Sequence, residues 1–256
     1  MNATKWSERL LPGAVILGLL LLWELGVRLS GTPLYILPAP SKILLAFVSE
    51  RSALLRHGSV TLSETVIGLL LATILAIVIA ILIDAFPNLR RAIYPLLVVT
   101  QTVPVIVLAP IFIIYLGFGM APKILTVVLM CFFPITIPFA DAMGAQDIRR
   151  IHLVAAMGAP KRKVYTLVKI PGALPAFFSG LKVAATYSIS GAVVGEWLSS
   201  SAGLGYYMLR VKNGYMLDKV FASVLTVALL SLLMNGAVKL LSHLILKPPV
   251  KTRRST

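Results

Sequence analysis

The sequence is poor in charge, poorer still in acid, and nearly without cysteine. Only 13% of its 256 residues are Asp, Glu, Lys or Arg. A soluble domain must solvate its whole surface and carries closer to about a quarter, so a water-soluble fold is excluded. The one cysteine, Cys131, lies in an apolar run. No intramolecular disulfide can form, and the residue reads as a small core side chain. The three histidines, His57, His152 and His243, show no metal-ligand spacing, so no metal site is expected. There is no Gly-x-x-x-x-Gly-Lys-Ser/Thr run, hence no phosphate loop for ATP. No nucleophile–base pair marks an enzyme, and no repeat, low-complexity stretch or soluble domain is found.

What is present is apolar: 58% of residues, with a mean hydropathy of +0.93. The 24 basic residues outnumber the 9 acidic ones and give a net charge of +15. In a soluble chain that balance would point to nucleic acid. Here no basic, aromatic-interleaved motif occurs, and the charges sit between apolar runs, where they set membrane topology.

A spanning helix needs roughly 20 apolar residues to cross about 30 Å of hydrocarbon. Six stretches qualify: Leu10 to Leu29, Ser63 to Ile83, Tyr94 to Leu116, Ile124 to Met143, Ala176 to Leu198 and Val220 to Leu246. The expected fold is therefore all-α, a polytopic membrane protein of about six transmembrane helices in a single domain over residues 1–256. Lys5 and Arg9 precede the first run, but no small-residue cleavage site follows Val27, so that run is expected to stay as a helix. Pro95, Pro104 and Pro110 interrupt the third run. With both termini in the cytoplasm, the 24 basic residues divide into 14 inside, 8 outside and two, Lys182 and Lys239, within spans. That is the direction expected of a bacterial inner-membrane protein. In the outer loop, Tyr35 to Ser41 is stiffened by proline, and Lys42 to Ser49 has the spacing of an interfacial helix.

The inner loop 144–175 is the longest and most basic cytoplasmic connection. Its order predicts helix, break, helix, stop. Asp147 can cap the first helix, Gly158 can end it at positive φ, and Pro160 suits the start of the second. Val164, Leu167, Val168 and Pro171 give the second helix an apolar face. The lesser reading from physics alone is an interfacial helix lying on anionic lipid.

Gly158, nine residues, Val168, one residue and then Ile170-Pro171 resemble the cytoplasmic signature loop of binding-protein-dependent ABC importer permeases. His152, Leu153 and Val154 stand where that pattern has Glu-Ala-Ala. The resemblance continues through Pro175, Gly180 to Lys182, Gly191 to Trp197 and Gly203 to Gly205, and is similar to the nitrate, sulfonate and taurine group. The stretch Ala184 to Trp197 is most like its pyrimidine branch, which transports thiamine precursors.

The resemblance implies a type I importer permease: a homodimer of about twelve helices with two ATPase copies and an extracytoplasmic binding protein. This chain would need no cofactor, since ATP and Mg belong to the ATPase. His152, Ala155, Ala156, Met157, Gly158, Ala159, Pro160, Lys161 and Arg162 would form the coupling helix. Gln101, Thr102, Thr186, Tyr187, Ser188, Ser190 and Glu196 are the polar residues expected along the pathway, since polar groups inside spans are costly. Hydroxyls can bond their own helix carbonyls, whereas the Gln101 amide is less easily satisfied. Glu196 lies 14 residues after Lys182, or about 21 Å along a helix. Lys182 should snorkel to the inner surface, which puts Glu196 near the outer end, either at the gate or paired with Arg210 or Lys212. Glu24, Glu64 and Asp84 are expected to be solvated span ends. A secondary carrier or channel would need intramembrane charges for ion coupling, and the mid-span regions offer almost none.

Overall fold

Apolar run length and proline placement dictate the elements seen in a computed structural model, which describes residues 3–246. Helix α1 (Ala3–Ser30) leads to α2 (Pro40–Ser49) and the long α3 (Arg51–Ala85). Then come α4 (Pro87–Thr100), α5 (Val105–Leu116), α6 (Met120–Gly144) and the short α7 (Ile148–Ala156) and α8 (Lys161–Val164). A π-helical turn, Tyr165–Lys169, joins α8 to α9 (Ile170–Ser199), and α10 (Leu204–Asn213) and α11 (Leu217–Ile245) complete the chain. Among the described residues there is no strand. Five helical stretches are long and apolar enough to span a membrane, or six if α4 and α5 count as one bent span.

Helices α3, α6 and α9 form the centre. Lipid tails are as apolar as leucine, so packing rather than the hydrophobic effect holds such helices together, and small residues allow close approach. Ala72, Ala76 and Ala80 repeat one turn apart on α3 and are fully buried. Ala184, Ala185 and Ala192 of α9 are fully buried as well, against Val127, Cys131 and Ile135 of α6. Leucines such as Leu22, Leu70 and Leu232 remain exposed on the outer faces, where lipid would cover them. Helix α1 sits at the edge. It meets the bundle through α2 and a ring contact between Trp23 and Phe221, 5.7 Å between centroids.

Three expectations are corrected. The helix that holds the second run begins at Arg51, well before Ser63; Arg56 and His57 lower its hydropathy there, but its inward face carries His57, Gly58 and Thr61 into the core. The third span is two helices bent by 102°. Of its three prolines only Pro104 breaks it, because Val103 is pushed out of the helical region by the following ring; Pro95 and Pro110 lie inside α4 and α5. Pro171 stops nothing. It lies inside a continuous helical stretch, and the π turn before it, in which the Ile170 N–H reaches back five residues to the Tyr165 carbonyl, carries the helix past the proline ring. The second arm of the inner loop is thus continuous with the spanning helix, a stretch from Lys161 to Leu198.

Candidate functional site

At the hairpin, Asp147 accepts a hydrogen bond from the Arg149 N–H at 2.9 Å and starts α7. Gly158 ends it with φ +77. The Gly158 N–H donates to Ala155 O at 2.9 Å and the Ala159 N–H to Val154 O at 3.3 Å, the paired bonds of a Schellman cap. Ile151 and Val154 turn toward the bundle. Leu153 and Met157, one turn apart on the other face, are 64% and 79% exposed. His152, Ala155, Ala156, Gly158, Pro160, Lys161 and Arg162 are exposed as well, with Ala159 half-buried.

One carboxylate pins this hairpin to the core. Asp84, at the end of α3, accepts from Tyr165 OH at 2.7 Å and from Lys169 Nζ at 2.6 Å, with its side chain only 3% exposed. Asp84 is therefore an anchor and not a solvated span end. Beside it, Asp141 of α6 ties down α4 through Arg90 Nη2 at 2.8 Å and Tyr94 OH at 3.1 Å. Glu24 is also engaged: it accepts from Ser41 N–H at 2.9 Å and Ser41 Oγ at 2.8 Å, and so fastens the start of α2 to α1.

On one face of the bundle, the bend between α4 and α5 opens a cavity of about 220 Å3 whose lining includes exposed Thr100, Gln101 and Tyr187 and half-buried Phe133. Gln101 and Tyr187, 86 positions apart in sequence, are brought together here, and no charged side chain lines the space. The Gln101 amide does find a local partner, Leu97 O at 3.5 Å. Thr102 lies outside that cavity, exposed, with its hydroxyl on Val99 O at 2.7 Å. Thr186 faces α11 and accepts from Asn235 Nδ2 at 2.9 Å. Ser190 is exposed. Ser188 is fully buried, donates to Ala185 O at 2.8 Å and lies outside that cavity.

The end of the bundle opposite the hairpin holds a polar cluster that the sequence reading missed. Glu64 of α3 and Lys123 of α6 form a buried ion pair, and Lys123 Nζ also donates to Ser200 Oγ at 3.2 Å. Glu196 of α9, 1% exposed, accepts from Thr61 Oγ1 at 2.6 Å and from the Gly205 N–H at 2.6 Å. Thr61 accepts in turn from the Leu204 N–H at 2.8 Å, and His57 Nδ1 from the Gly203 N–H at 3.1 Å. These contacts bind α3, α6 and α9 to the first turn of α10, whose N–H groups would otherwise be orphaned. Gly203 makes the turn possible. Its φ is +109, and a Cβ there would lie 2.2 Å from Glu196 Oε1.

Glu196 therefore pairs with neither Arg210 nor Lys212. The tight turn delivers the start of α10 to the carboxylate, while those two side chains lie farther along α10 and are exposed. Nor is Glu64 solvated. The signal for it was a polar stripe, His57, Thr61 and Glu64, at helical spacing on one face of α3.

Comparison with known proteins decides the class. Residues 68–247 match the family described as binding-protein-dependent transport system inner membrane component. The chain belongs to this family. As a member it is a membrane-spanning permease of the ABC importer class, and its relatives are transport subunits rather than enzymes. It is 36% identical over 240 residues to the formylaminopyrimidine transport permease protein ThiX of Halalkalibacterium halodurans, covering 93% of this chain and 96% of that one. It is 31% identical to the riboflavin transport system permease protein RibX of Chloroflexus aurantiacus, over 95% of this chain and 91% of that one. The putative aliphatic sulfonates transport permease protein SsuC of Bacillus subtilis is 28% identical, over 94% of this chain and 87% of that one. The importer permease thus carries buried charged residues after all, Glu64, Lys123 and Glu196, and Glu64 and Lys123 also line a cavity of about 610 Å3 together with Phe118, Met120 and Ser200.

Proposed function

We propose that this permease works as a homodimer around one pathway, with both termini in the cytoplasm and the α7–α8 hairpin docked on a separate ATPase that binds ATP and Mg. An extracytoplasmic binding protein delivers the solute. The observation that carries the coupling role is the hairpin itself. A rigidly capped helix offers Leu153 and Met157 to solvent, while its second arm runs unbroken into α9. Exposed apolar side chains on a short charged helix call for a partner groove. Motion of that groove would pass along α9 to Tyr187 at the cavity beside the α4–α5 bend, a rigid-body switch.

The substrate proposed is a small, uncharged heteroaromatic of the hydroxymethylpyrimidine type, a thiamine precursor. Support comes from the named substrate of the ThiX relative and from the cavity chemistry. An amide, a phenol and the Phe133 ring suit hydrogen bonding to ring nitrogens and stacking. Aliphatic sulfonate, taurine or nitrate is the second reading, supported by the SsuC relative. Such an anion would want a basic side chain that this lining does not supply.

Two experiments test these proposals. Replacing Leu153 and Met157 together by Asp should leave a folded permease that no longer retains the ATPase on purification; retention equal to wild type would overturn the coupling role. Proteoliposomes of the assembled importer should take up the labelled pyrimidine. Uptake of sulfonate alone would overturn the substrate.

A further inference from the structure

A second cavity, of about 470 Å3, opens between α9 and α11 toward the hairpin end, lined by Lys182, Gly236, Lys239, Ser242, His243 and Leu246 among others. It places two lysines from otherwise apolar spans around one space. Cations at such depth are costly without a counter-ion. Yet neither lysine joins an ion pair among the described residues. Of the carboxylates whose side chains are described, Glu24, Glu50, Glu64, Asp84 and Asp141 are ion-paired, Asp147 caps α7, and Glu196 binds Thr61 and Gly205. Asp218 lies in the first turn of α11, at the opposite end from Lys239. Among the described residues, then, no carboxylate neutralises this cavity.

Two further observations narrow its chemistry. Leu240 and Leu244 beside the cavity are 62% and 72% exposed, an apolar face fit for acyl chains. Lys239 stands six residues before the end of α11, about 9 Å deep along the helix, within reach of a headgroup. We propose that this cavity binds the phosphate of an anionic membrane lipid, with Lys182 and Lys239 as its charge partners and the His243 ring as a further donor. Basic pockets between spanning helices suit such headgroups. Bound there, the lipid bridges α9, which bears the hairpin, to α11.

The test is native mass spectrometry of the delipidated, purified permease titrated with phosphatidylglycerol, phosphatidylethanolamine and inorganic phosphate. Phosphatidylglycerol should bind in preference to phosphatidylethanolamine, and Lys182→Gln with Lys239→Gln should weaken it roughly 30-fold. The Lys182→Arg, Lys239→Arg pair should keep it. Displacement of the lipid by millimolar phosphate would support the same phosphate site with a free anion as its ligand. Equal affinity for the two lipids in wild type would overturn the proposal, and needs no variant to fold. So would unchanged phosphatidylglycerol binding in the Gln pair.

Discussion

At one end of the bundle Glu64, Lys123 and Glu196 are almost wholly buried and bonded to four elements. At the other, α7 buries no residue, and among the described residues Asp84 is the core carboxylate that bonds the hairpin's second arm. Buried ion pairs cost desolvation and add little net stability, but they fail badly when one partner is lost. An exposed helix with a sound cap costs little to hold and leaves its surface free. The first arrangement fixes the helices relative to one another, and the second offers a handle on one of them. A transporter driven from one side has use for both.

The sharpest way to break this contrast is at the buried end. Lys123→Ala leaves the buried Glu64 carboxylate without its ammonium and should destabilise the purified permease by about 3–5 kcal/mol. A large drop in melting temperature in detergent would show this. Lys123→Met with Glu64→Gln should recover most of the loss, because the charges leave together. Next comes Gly203→Ala, which meets both positive φ and the Glu196 carboxylate. Strain alone is about 1–2 kcal/mol, and a further loss is expected as Glu196 moves off the Gly205 N–H.

At the hairpin end the effects should move from stability to function. Asp84→Asn keeps an acceptor for Tyr165 but loses the charge facing Lys169. It should cost about 1–2 kcal/mol while uncoupling ATP hydrolysis from uptake in the reconstituted importer. Gly158→Asp should cost only about 1 kcal/mol, since a Cβ there meets nothing within 4 Å. It should nevertheless abolish transport by weakening ATPase docking. Normal uptake and full ATPase recovery in that variant would reduce the hairpin to a passive surface helix.

The smallest effect is expected at Glu50, in the turn between α2 and α3. The Lys219 ammonium and the Tyr207 hydroxyl hold its carboxyl below the ordinary 4.5. Its contribution is then present above about pH 4.5 and fades as pH falls through the lowered value. Both side chains are about a quarter exposed, so the contribution is below about 1 kcal/mol. Glu50→Gln should remove that part of the acid dependence from the melting curve.

Where a structural choice depended on neighbours in sequence, it could be read directly. The Asp147 cap and the Gly158 reversal follow from side-chain reach and backbone sterics within a few residues, and both are present as expected. The same holds for the apolar spans, whose length is set against a fixed bilayer thickness. Long-range polar partners could not be read this way. Glu64 looked like a span end because hydropathy averages over a window, while its burial depends on Lys123, 59 residues away. Pro171 looked like a stop because a local rule cannot see that the preceding π turn carries the helix onward.

By itself, then, the sequence determined an all-helical membrane protein, the hairpin and its caps, and the family resemblance in that loop. Each is a matter of composition, run length or short spacing. Only the tertiary structure decided which prolines bend the chain and which polar residues share the cavity at the α4–α5 bend. It alone turned Glu196 toward Thr61 and Gly205 instead of Arg210. The physical reason is that helices in lipid choose partners by close packing and by satisfying buried polar groups, and those choices are made between segments far apart in the chain.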